Sequence, residues 1–138
     1  MVDKTRLAGA NEKKAISIAS VRLKAADFDG TNTLEVFVLP GNCMIKAAYA
    51  VVKTQANAST VLDIATTASG NNIQDNLDIA AATGVVGGTI TTEIDTGTGT
   101  SIFVTPNQAV SAGDVFVIVE YIEYDRGNGE LLNYKQNA

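Results

Sequence analysis

VFVIVEYIEY, residues 115 to 124, is the strongest strand signal in the chain and the one that decides the fold class. Its β-branched and aromatic residues suit a pleated, packed surface, and they alternate. Val115, Val117, Val119 and Tyr121 fall on one side, Phe116, Ile118, Ile122 and Tyr124 on the other. Glu120 and Glu123 take opposite parities, so neither side is buried along the whole segment.

Working outward, similar segments recur at short intervals, separated by clusters of Gly, Asn, Asp and Ser. Residues 15 to 24 place Ile16 and Ile18 on one parity and Val21 and Leu23 on the other, which predicts a bulge near Ala19 and Ser20 or a change of sheet there. Leu34 to Leu39 alternates and is ended by Pro40 and Gly41. Cys43 to Lys53 sets Ile45, Ala47, Tyr49 and Val51 against a face of small residues, including Ala48 and Ala50, that suits close packing of sheets or subunits. Val61–Thr66, Thr89–Ile94 and Ser101–Thr105 complete the strands. The polar, Ala-rich NNIQDNLDIAAAT, residues 71 to 83, is the one candidate helical turn, with Asp75 or Asn76 as its cap. Seven or eight short strands predict an all-β, antiparallel sandwich, jelly-roll-like or Greek-key, with flexible termini.

A chain of 138 residues is expected to form one domain, with a basic arm at 1–14, a sandwich at 15–125 and a tail at 126–138. The net charge is −5, but residues 1 to 24 carry +4 and the remainder −9. A basic arm therefore precedes an acidic body, an arrangement suited to an arm lying on the acidic surface of a neighbouring copy or partner. Nucleic acid is disfavoured, because the body repels phosphates and the arm has no aromatics to stack on bases. No run approaches the roughly 20 apolar residues that span a bilayer, and the start has no signal-peptide core. With its single cysteine, Cys43, expected as an inert buried thiol, the chain reads as a soluble product of a reducing cytoplasm.

Two short motifs resemble enzyme signatures. DFDGT, residues 27 to 31, has the spacing of haloacid-dehalogenase-type phosphatases, whose chemistry needs a parallel, helix-covered sheet. Strand signals follow it instead, and the later acidic pair that would hold magnesium is lacking, since Gly113 and Asp114 precede their strand. Asp27, Asp29, Gly30, Thr31 and Asn32 are read as turn residues, with a weak surface cation site near Asp27 and Asp29 as the remaining functional use. An EF-hand loop begun at Asp27 would need Glu at its twelfth position, which is Val38. Asp95-Thr96-Gly97 spells the aspartic-protease triplet, but Glu93 and Thr98 break the surrounding pattern, and a flexible hairpin connection is expected. The absence of histidine excludes Ser–His and Cys–His nucleophile systems. No catalytic, cofactor or metal site is assigned, and the chain is read as non-enzymatic.

The order of segments carries a resemblance. A strand ending VFVLPGNCMI (36–45), then AAYAVVKTQANASTVLDI (47–64), NLDIAAATG (76–84) and the terminal VFVIVEYIEY resembles small β-sandwich virion proteins of tailed bacteriophages, over residues 15 to 125. The match lies in apolar patterns around Leu39, Pro40, Gly41, Asp63 and Gly84. The resemblance implies a capsid decoration or cement protein on the outer surface of a head, a homo-oligomer with a trimer favoured, and the major capsid protein as partner. The contacts it implies are Lys4, Arg6, Leu7, Lys13 and Lys14 in the arm and Leu131, Leu132 and Tyr134 in the tail. The rival is a fibre, tail or host-attachment module that binds carbohydrate or another virion protein, through loops rich in Asn, Asp and Thr.

Overall fold

The computed structural model describes residues 16–28 and 33–125. Eight strands form: β1 (Ser17–Lys24), β2 (Leu34–Pro40), β3 (Cys43–Thr54), β4 (Val61–Ala65), β5 (Gln74–Asp78), β6 (Gly84–Asp95), β7 (Gly99–Pro106) and β8 (Asp114–Glu123). Every pairing is antiparallel, and the strands lie in two sheets of four. A front sheet runs β1-β8-β3-β6 and a rear sheet β2-β7-β4-β5. First strand beside last, with successive strands crossing between sheets except at the β4–β5 hairpin, is the order of an eight-stranded jelly roll.

The opening segment explains the arrangement. β8 lies inside the front sheet with neighbours on both edges, and its odd-numbered side chains Val115, Val117 and Val119 are fully buried. They meet Ala48, Ala50 and Val52 of β3 and, from the rear sheet, Leu62, Ile64, Ile102 and Val104. The small face of β3 thus serves close sheet packing. β6 shares in it: a Cβ on Gly87 would stand 2.8 Å from the Ala48 carbonyl oxygen, so only glycine fits.

Three local expectations are corrected. β1 has no bulge at Ala19 or Ser20, because its pairing with β8 runs unbroken from Ser17 opposite Tyr121 to Lys24 opposite Asp114. Ala19, Val21 and Leu23 turn inward, and Ile18 is left outside at 60% exposure. Bulges occur elsewhere, among them those between Glu35 and Phe37 and between Ile45 and Ala47. The first of them turns Leu39 into the core and leaves Val38 outside at 74%.

Residues 74 to 78 are a strand and not a helical turn. Leu62 pairs with Leu77 and Ile64 with Gln74, so Asp75 and Asn76 together face Asp63. Asn76 takes φ +57° and donates its backbone N–H to the Asp63 carboxylate at 2.8 Å. Burying Leu77 and Ile79 outweighs the weak helical preference of the segment.

The third correction concerns Asp95-Thr96-Gly97, which is a fastened corner. Thr96 is 5% exposed; its hydroxyl donates to the Pro40 carbonyl at 2.8 Å and accepts from the Cys43 N–H at 3.0 Å. Two connections that cross between the sheets, β2–β3 and β6–β7, are thereby tied together. Asp27 ends a single 3-10 turn, Ala25–Asp27, and its carboxylate accepts the Lys24 N–H at 2.7 Å, in keeping with turn chemistry. Its partner Asp29 lies outside the described residues.

Candidate interaction face

The outward side of the front sheet is built from the residues that alternate with its core. Antiparallel register sets them in cross-strand rows. Arg22, Phe116, Val51 and Val85 form one row, and Ser20, Ile118, Tyr49 and Gly87 the next. Ile18, Glu120, Ala47 and Thr89 form a third. Phe116, Ile118, Tyr49 and Val51 make a central apolar strip, half-buried only by one another and by the sheet beneath. Ile18 on one edge strand and Val85 on the other extend it at 60% and 65% exposure. Among the described residues, no element covers this strip.

Charge frames the strip at its two ends, along the strand direction. At one end, Arg22 holds Asp114 through two nitrogens, at 2.9 and 2.6 Å, and lies 5.4 Å from the Phe116 ring centroid. The hydrogen bond from Arg22 holds the Asp114 carboxyl below its usual range against an opposing effect of burial, and the charges of Arg22, Lys24 and Lys53 add smaller contributions in the lowering sense. Three cations therefore surround one carboxylate. At the other end, Lys46 pairs with Glu93 at 2.8 Å and lowers its pKa. Tyr49 donates to Glu120 at 2.8 Å and Tyr124 to Asp95 at 3.0 Å, and these bonds raise both phenols. A shallow depression of about 240 Å³ lies between Met44, Glu93, Asp95 and Tyr124.

The rear sheet differs in kind. Its strands carry Glu35, Asp63, Asp75 and Asp78 and no Lys or Arg, whereas all four described cations, Arg22, Lys24, Lys46 and Lys53, lie on the front sheet. Hydrogen bonds among side chains cover much of its outer side, including Thr33 to Thr105 and Ser101 to Glu35. The molecule thus has one outward face with a continuous apolar strip between charged ends, and one whose strands carry acidic but no basic side chains and on which Val38 is exposed.

No group of three or more His, Cys, Asp or Glu able to hold a metal ion occurs among the described residues. Cys43 is fully buried, and burial pushes its thiol pKa up, as befits an inert packing residue. No described helix is long and apolar enough to cross a membrane. The contact residues expected from sequence, Lys4, Arg6, Leu7, Lys13, Lys14, Leu131, Leu132 and Tyr134, lie outside the described residues. The front face itself escaped sequence reading. Its signal was present in β8, where Phe116, Ile118 and Ile122 make the second parity as apolar as the buried one.

No protein-family model and no curated protein matches the sequence. Solved structures do share the fold. A chain in the capsid asymmetric unit of cyanophage Pam1 superposes with a TM-score of 0.59 at 15% identity, covering 79% of this chain and 85% of that one. One in the acid-stable capsid of Helicobacter pylori bacteriophage KHP30 gives 0.60 at 14%, covering 80% and 91%. One in the capsid of Ralstonia phage GP4 gives 0.58 at 18%, covering 82% and 86%. At such identities the likeness is one of fold.

Proposed function

We propose that this chain is a non-enzymatic structural virion protein, a decoration or cement protein that binds the outer surface of a phage capsid and stabilises it. The observation that carries the reading is the fold shared with chains from three phage capsids, over about four fifths of this chain. A two-sheet sandwich with a continuous core and a broad apolar face suits a role in which many weak, symmetric contacts add up. The body spans 15–125. The basic arm 1–14, through Lys4, Arg6, Leu7, Lys13 and Lys14, and the tail 126–138, through Leu131, Leu132 and Tyr134, reach the major capsid protein and neighbouring copies of a homo-oligomer, a trimer being favoured. The acidic rear sheet disfavours nucleic acid as a partner. The protein is made in the host cytoplasm and ends on the outside of the virion.

Quantitative mass spectrometry of purified particles tests this. A copy number comparable with that of the shell subunit, and rebinding of the purified chain to stripped heads, are expected. A second reading, a fibre, tail or host-attachment module for carbohydrate, rests on the depression where exposed Tyr124 stands beside Asp95 and Glu93, an aromatic face flanked by acceptors. Scarcity in the particle, together with a block of adsorption by the free chain that Tyr124→Ala abolishes, would favour that reading instead.

A further inference from the structure

The outward face of the front sheet is self-complementary. About its middle row, Ser20-Ile118-Tyr49-Gly87, the basic end (Arg22, Lys24, Lys53 around Asp114) and the acidic end (Glu93, Asp95, Glu120, with Lys46) stand on opposite sides. From Asp114 to Ile122 the face is about 26 Å long at the usual strand rise. A two-fold axis lying between two facing copies, along the middle row and across the strands, exchanges the ends, so that each cluster meets the opposite end of the other copy. It keeps the strand order, so that the middle row, with Ile118 and Tyr49, meets its own copy across the axis. The two most exposed apolar side chains of the face, Val85 and Ile18, lie on either side of this axis and are covered in the same contact.

We propose that this face is the contact surface for a second copy of the same chain, packed sheet on sheet about a two-fold axis. Charge complementarity singles out that occupant. One copy offers both the acidic end that the three cations require and the basic end that the carboxylates require, whereas a partner of uniform charge repels one end. An isologous contact of this kind joins two copies, or two symmetric oligomers built through other surfaces, and closes on itself. Aligned packing of two sheets face to face is an ordinary way to bury such a strip. The contact belongs to the isolated chain and stands or fails independently of the virion role.

Sedimentation equilibrium of the purified full chain provides the test, with folding checked by circular dichroism. The native mass should be about twice that of Ile18→Glu/Val85→Glu, and the larger species should weaken as salt is raised. Two charge-reversed variants sharpen it. Lys24→Glu/Lys53→Glu and Glu93→Lys/Glu120→Lys should each give the halved mass alone and the doubled mass when mixed, because mixing restores opposite charge at both ends. A mispacked fold would not show that rescue. Equal masses for native and Ile18→Glu/Val85→Glu chains overturn the proposal. So does doubling that appears only after residues 126–138 are removed, which would make the chain's own tail the occupant. A native chain that stays unpaired while Val85→Glu prevents rebinding to stripped heads would assign the face to the shell subunit, and likewise overturns it.

Discussion

Arg22 grips Asp114 through two nitrogens across the β1–β8 pair while its guanidinium lies 5.4 Å from the centroid of the Phe116 ring. One side chain thus ties the edge strand to its neighbour and covers part of the apolar strip.

This pairing sets a pH dependence. Asp114 titrates below its ordinary value of 3.8 in the fold, so the stability it adds is complete above that value and is lost as pH falls through the lowered one. Asp114→Asn should flatten the acid limb of a Tm-against-pH curve and leave the slope near neutrality unchanged. An unaltered acid limb would show that the pair adds nothing.

Thr96 holds two backbone groups, the buried Cys43 N–H and the partly buried Pro40 carbonyl. Thr96→Val keeps the shape but leaves the Pro40 carbonyl and the Cys43 N–H without the hydroxyl. A loss of about 2 kcal/mol is expected in urea unfolding, with Thr96→Ser losing much less. Equal losses would mean that the methyl group matters more than the hydrogen bonds.

Gly87→Ala and Gly84→Ala separate conformational strain from collision. Both glycines have positive φ, +94° and +118°, but only at Gly87 would the new Cβ press on backbone, 2.8 Å from Ala48 O. Strain alone costs about 1–3 kcal/mol, so Gly84→Ala should fall in that range and Gly87→Ala beyond it. Similar Tm losses for the two would refute the close approach of β6 to β3.

Asn76 tests the bulge in β5. Its φ of +57° suits Asn or Gly and is hostile to a β-branched residue. Asn76→Gly should leave the midpoint of denaturation within about 0.5 kcal/mol of native, and Asn76→Val should lower it by about 1–3 kcal/mol. A helical turn would rank them the other way, because glycine is the poorer helix former.

The strands at β3, β4, β7 and β8 were legible from the sequence because each carries β-branched or apolar residues at period two between turn residues. β5 was not, because its bulge inserts Asp75 and Asn76 between Gln74 and Leu77 and breaks the period. In β2 the alternation alone did not say which side is buried, and the bulge after Glu35 shifts it so that Leu39 faces the core and Val38 lies outside. In β1 the apparent change of parity suggested a bulge near Ala19 and Ser20 or a change of sheet. The strand is straight there, and Ile18 faces outward as part of the front face.

The sequence by itself determined that the chain is a strand-built sandwich, and the absence of histidine removed whole classes of nucleophile chemistry, since those follow from residue type and local period. Only the tertiary structure decided which of the two apolar sides of β8 faces the core. Pairing with β1 and β3 places Val115, Val117 and Val119 against the rear sheet. The remaining side, with Phe116 and Ile118, becomes an outward face whose charged ends come from strands distant in the chain. Long-range register makes that face, and no local pattern encodes it.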